Sequence, residues 1–146
     1  IRINPPPFSW KLSADKEKLL YFNSSQIGVV DIALQKGILP AGSSFVLNYT
    51  NGKIIDAFWH SDSYHFILFG TRFIEALEAE PNSLPVTLVI LNKRNSYAYY
   101  DVHTDALYFL DSQKAADGNF YDNLYKLELN SRVFLSQELR KLKSNE

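Results

Sequence analysis

The feature that most limits the fold is the run Tyr64–Phe69, apolar except for His65. It is bounded by the polar residues His60–Ser63 and by Gly70-Thr71. So short an apolar run marks a strand covered on both faces. Val86–Leu91 is a second such run, ended by the polar turn Asn92–Ser96. Around these two, Ser44–Tyr49 alternates like a strand, and Asn51-Gly52 is the strongest hairpin signal in the chain. Lys53–Trp59 is then expected as its partner, with Ile54 or Ile55 and Phe58 or Trp59 facing the core. Tyr97–Val102 is expected to pair back, followed by Ala106–Asp111. Lys114–Asn123 reads as a polar loop turning at Asp117-Gly118. Leu124–Leu129 alternates again, and Val133–Leu135 forms a last short strand.

Three segments read as helices. Ser13–Tyr21 carries Lys16, Glu17, Leu19 and Leu20 behind a cap at Ser13 or Asp15. Arg72–Glu80 places Phe73, Ile74 and Leu77 at helical spacing, with Glu75, Glu78 and Glu80 exposed and Pro81 as the stop. Gln137–Lys143 closes the chain. Gln26–Lys36 fits a strand early and a helix in its last turn, before turns at Gly37 and Pro40-Ala41-Gly42. The expected fold is α+β, an antiparallel or mixed sheet with two or three short helices packed on it. Residues 1–12 form a Pro-rich arm, with Pro5–Pro7 extended and Phe8 and Trp10 as pins. Residues 13–146 form one domain of ordinary size.

Composition removes several classes of function. Without cysteine there is neither a disulfide framework nor a thiolate zinc site, which suits a reducing cytosol. A formal net charge of −1 and no basic stripe argue against nucleic-acid binding. Arg140, Lys141 and Lys143 suit the negative end of the closing helix. No apolar run approaches the roughly 20 residues of a membrane span, and no signal peptide is visible. The chain lacks methionine even at position 1, so it is expected to begin inside a longer protein or to have lost its start.

No serine sits in a nucleophile elbow, and the glycines form no phosphate loop. The chain is therefore read as a binder without cofactor or resident metal. The rival is a small hydrolase or metal-dependent enzyme built on His60-x-Asp62-x-x-His65 and on His103 of Asp101-x-His103-x-Asp105. An adaptor domain cut from a larger chain is a third reading. The segment Tyr97–Tyr125 interleaves tyrosines with aspartates, which suits a protein interface. Its candidate contacts are Tyr97, Tyr99, Asp101, Asp105, Tyr108, Asp111, Asp117, Tyr121 and Asp122. The competing assignment buries alternate tyrosines and uses the aspartates as turn caps.

Two strand-to-helix units echo each other, Ile67–Gly70 with Phe73 and Ala76, and Val133–Ser136 with Leu139 and Leu142. With the segments between them, FILFGTRFIEAL (66–77), PVTLVILN (85–92), SYAYYDVHTDALYFLD (96–111) and LYKLELNSRVFLSQELRKL (124–142), about half the chain resembles a family of bacterial immunity proteins of polymorphic toxin systems. The resemblance implies stoichiometric binding and neutralisation of a protein toxin, a basic, nuclease-like one suiting the acidic and aromatic segment. It implies no catalytic residue.

Overall fold

The computed structural model describes residues 8–32, 42–93 and 96–129. They form eleven strands and, among the described residues, no helix. Strands β1 (Ser9–Leu12), β2 (Lys18–Phe22), β3 (Gln26–Asp31) and β4 (Ser44–Asn48) make one antiparallel sheet in chain order. A second follows the same plan with β5 (Ile54–Trp59), β6 (His65–Gly70), β7 (Phe73–Glu78) and β8 (Val86–Ile90). The third has β9 (Ala98–Asp101), β10 (Ala106–Lys114) and β11 (Phe120–Glu128). First strands begin at Ser9, Ile54 and Ala98, so the unit recurs about every 45 residues.

The sheets stack face to face, and β6 shows why. Side chains alternate across a strand. Phe66 and Leu68 pack with Leu20, Phe22, Ile27 and Val29 of the first sheet. Ile67 and Phe69 pack with Tyr100, Leu107 and Phe109 of the third. All four β6 side chains are fully buried, each contributing about 2–3 kcal/mol. The middle sheet is thus apolar on both faces and joins the other two.

The first strands of the first two sheets also meet. Lys11 of β1 forms a 2.6 Å ion pair with Asp56 of β5, and the Lys11 carbonyl accepts a 2.9 Å hydrogen bond from Trp59 Nε1. The first two sheets run outward from this inner edge in chain order, and residues 49–53 return the chain from β4 to β5.

Over the described residues the α+β expectation is therefore corrected to all-β. Arg72–Glu80 supplies β7, because alternation between two buried faces overrides the helix preference of its Glu, Ala and Leu residues. Glu75, expected on an exposed helix, is buried and accepts a 2.8 Å hydrogen bond from Asn51 Nδ2. Ser13–Tyr21 is a turn followed by β2, with Asp15 accepting from the Glu17 N–H inside that turn. Asn51-Gly52 closes no hairpin: β4 and β5 lie in different sheets, and β5 pairs with β6. Likewise β9 pairs with β10 rather than back on β8, which is a half-exposed edge strand. Residues 9–12 of the expected arm are β1. Pro5–Pro7, Val133–Leu135 and Gln137–Lys143 lie outside the described residues.

Candidate functional site

The first hairpin of each sheet carries its polar chemistry in a four-residue turn, 14–17, 61–64 and 102–105. Each turn holds one non-glycine residue in the left-handed region, Lys16 (φ 62°), Ser63 (φ 58°) and Asp105 (φ 48°). In the second turn Asp62 Oδ1 accepts the Tyr64 and His65 N–H groups, both at 2.9 Å. Its Oδ2 lies 2.6 Å from His65 Nδ1 and 3.0 Å from His60 Nδ1. On its other side, His60 Nε2 lies 2.9 Å from Asp105 Oδ1.

The three turns are cross-linked in a row. The Asp15 N–H donates to Ser63 Oγ at 3.0 Å, and Lys18 Nζ donates to the Ser63 carbonyl at 3.3 Å. At the next joint the Ser61 N–H donates to the Tyr100 hydroxyl at 3.1 Å, which donates to Asp105 Oδ1 at 2.7 Å.

This arrangement sets the charges. Burial acts to lower the His60 pKa, but Asp62 and then Asp105 outweigh it, and the imidazole is raised above its ordinary value. Burial acts to raise Asp62, yet hydrogen bonds from His60, His65 and two backbone N–H groups hold it far below the carboxylate range. Tyr100 is pushed up to about 12, first by burial and then by its bond to Asp105. His60, only 2% exposed, is clamped between carboxylates of two sheets, which favour its protonated form.

The first turn repeats the design with other residues. Ser13, Asp15 and Lys18 stand where His60, Asp62 and His65 stand, with Ser13 Oγ donating to Asp15 Oδ1 and Lys18 Nζ 3.9 Å from Asp15 Oδ2. An aspartate flanked by two polar side chains of its own hairpin is therefore common to both turns. The second turn also has the makings of a metal centre, since one ligand atom from each of His60, Asp62 and His65 lies within 4.8 Å of the others. Three such ligands suit zinc with one position open. Asp105 would be the outer carboxylate that ligating histidines carry.

The structure separates the other expected contacts. Tyr99, Tyr108 and Asp122 alternate onto the side of the third sheet away from the second, while Tyr97 is exposed just before β9. Asp101 caps its own turn, accepting from the His103 N–H and Thr104 Oγ1. His103 is not part of the His60 cluster. Asp117 accepts from the Asn119 N–H and the Tyr121 hydroxyl. Asp122 accepts from Ser112 Oγ and pairs with Lys93. Asp111 is buried and accepts the Asn92 and Lys93 N–H groups at 2.9 and 2.7 Å, tying down the passage from β8 to β9. Asp111→Ala is expected to cost about 1–3 kcal/mol and to speed amide exchange at residues 92 and 93. Tyr100, Ser63 and Lys18, which link the turns, were not among the expected site residues. The signal for them was the spacing of 47 residues that separates Ser13-x-Asp15-x-x-Lys18 from His60-x-Asp62-x-x-His65.

Compared with known proteins, the chain matches no family model and no curated protein.

Proposed function

We propose that this chain is a non-catalytic adaptor: consecutive sheets of a propeller-type array that binds a partner protein through its exposed surface. The supporting observation is the repeat itself. Antiparallel sheets, two of four strands and one of three described strands, beginning about every 45 residues and stacked face to face, follow the plan of propeller blades, and such repeats commonly serve as binding platforms. The Ser13, Asp15 and Lys18 turn supports a structural role for its counterpart, because it performs the same task with no metal-ligating histidine. Neutralising a toxin would be one use of such a surface. The helix over 72–80 that helped carry the immunity-protein resemblance is a strand, so the adaptor reading does not rest on that likeness.

The second reading is a zinc or manganese centre at His60, Asp62 and His65, favoured by their convergence. One experiment separates the two. The protein is exposed to zinc or manganese, dialysed, assayed for bound metal by mass spectrometry, and melted with and without a chelator. The adaptor reading expects no stoichiometric metal and an unchanged Tm. One equivalent of metal with a Tm that falls on chelation would transfer the function to the second reading.

A further inference from the structure

Residues 49–53, which carry the chain from the first sheet to the second, hold its one Asn-Gly pair, Asn51-Gly52. Each member is fixed by a structural need. Gly52 has φ 134°, and a Cβ there would lie 2.8 Å from Thr71 Oγ1, so any side chain at this position is strained. Asn51 serves Glu75. That carboxylate is only 1% exposed, and its Oε1 accepts from Asn51 Nδ2 at 2.8 Å and from Thr87 Oγ1 at 3.5 Å. The Tyr49 hydroxyl is beside it, and among the described residues no cation pairs with it. Glu75 stands on the face of β7 turned to the first sheet, opposite Leu68 and two residues from Leu77, which both pack there. The Asn51 side chain thus latches the linker to the first joint.

The same pair is chemically reactive. Asparagine is thermally labile, and most so before glycine, whose backbone nitrogen no side chain screens. Both residues are exposed to water, and the Gly52 N–H makes no hydrogen bond among the described residues. Asn51 also borders a cavity of about 190 Å³ shared with Tyr49, Thr50, Leu68 and Leu77. The nitrogen is free to attack, and a small ring has room to form.

We propose that Asn51 is a self-modification site, converting without an enzyme to aspartate and isoaspartate, and that the product undoes the latch on Glu75. First, solvent hydroxide takes the Gly52 amide proton and Gly52 N bonds to Asn51 Cγ. The Cγ–Nδ2 bond breaks, and the nitrogen leaves as ammonia with a proton from water. Water then opens the cyclic imide at either carbonyl. Attack at Cγ gives aspartate, attack at the main-chain carbon gives isoaspartate, and nothing is oxidised or reduced. Either product exchanges the Nδ2 donor for a carboxylate facing Glu75, and two carboxylates sharing a buried site repel. Isoaspartate also lengthens the main chain between the two sheets.

The intact protein is kept for days in mildly alkaline buffer, digested and mapped by mass spectrometry, with isoaspartate labelled by an isoaspartyl methyltransferase. Asn51 is expected to convert well ahead of Asn23 and Asn82, each followed by serine, and to convert more slowly in mildly acidic buffer. Conversion no faster than at those two, or equally fast in acid, would overturn the site. The latch is read separately, from Tm. Asn51→Asp, which installs the product at once, is expected to lower Tm by about 5 °C. Combined with Glu75→Gln it is expected to melt with Glu75→Gln alone, because the amide then at position 75 can donate to the carboxylate at 51. An Asn51→Asp protein that melts like wild type, or a loss that persists beside Glu75→Gln, would overturn the release of Glu75.

Discussion

Phe66→Ala and Phe69→Ala are each expected to cost about 3–5 kcal/mol of stability and to loosen opposite halves of the molecule. The two rings are neighbours in one strand and both are fully buried, so the transfer and cavity costs are alike. Their partners differ. Phe66 belongs with Leu20, Phe22 and Ile27 of the first sheet, and Phe69 with Leu107 and Phe109 of the third. In a stack whose units touch only their neighbours, damage at one joint is felt first by the unit it held. Amide exchange is therefore expected to rise in β2 and β3 for Phe66→Ala and in β10 and β11 for Phe69→Ala. Identical exchange maps for the two variants would show a single indivisible core instead of two joints.

His60→Ala is the second large effect, about 2–3 kcal/mol at pH 5. It falls below the 3–5 kcal/mol of a fully buried pair because Asp62 and Asp105 keep contact with water. The pH dependence follows from the directions of the shifts. His60 is raised in the folded state, so its contribution is complete below the unfolded value near 6.5 and is lost as pH climbs through the folded value. Asp62 is depressed, so its contribution is complete above 3.8 and is lost as pH falls toward its folded value. Both are present together between about pH 4 and pH 6.5. Urea midpoints at pH 5, 7 and 9 are expected to show the gap between wild type and His60→Ala shrinking as pH rises. A constant gap would mean that His60 is neutral throughout.

The sequence made the strands easier to read than their company. Tyr64–Phe69 was legible as a strand covered on both faces, because an apolar run so short and so closely bounded by polar residues and Gly70 suits a strand better than a buried helix. The same double burial disguised β7. With Glu75 turned inward to Asn51 and Ala76 on the opposite face, the period of two vanished and helical spacing showed through. Asn51-Gly52 was legible as a turn, but a turn signal does not say whether the strands it joins will pair. Here they belong to successive sheets. The spacing of His60, Asp62 and His65 put those three residues together on the page. It said nothing of Asp105, which reaches His60 from another sheet. That contact is tertiary in origin, and short-range pattern does not carry it.

The return from β4 to β5 has a consequence for the order in which the molecule forms. Among the described residues every strand pairing is between sequence neighbours, and each sheet is finished before the next begins. Ladders of that kind close quickly, because little chain must be searched to make them. The faces cannot follow at the same pace. Leu20, Phe22 and Ile27 lack the centre of their cover until Phe66 and Leu68 arrive some 40 residues later. During synthesis the first sheet is complete yet greasy on one side for the seconds those residues take to emerge. A holdase that recognises bare apolar sheet would find its best moment then.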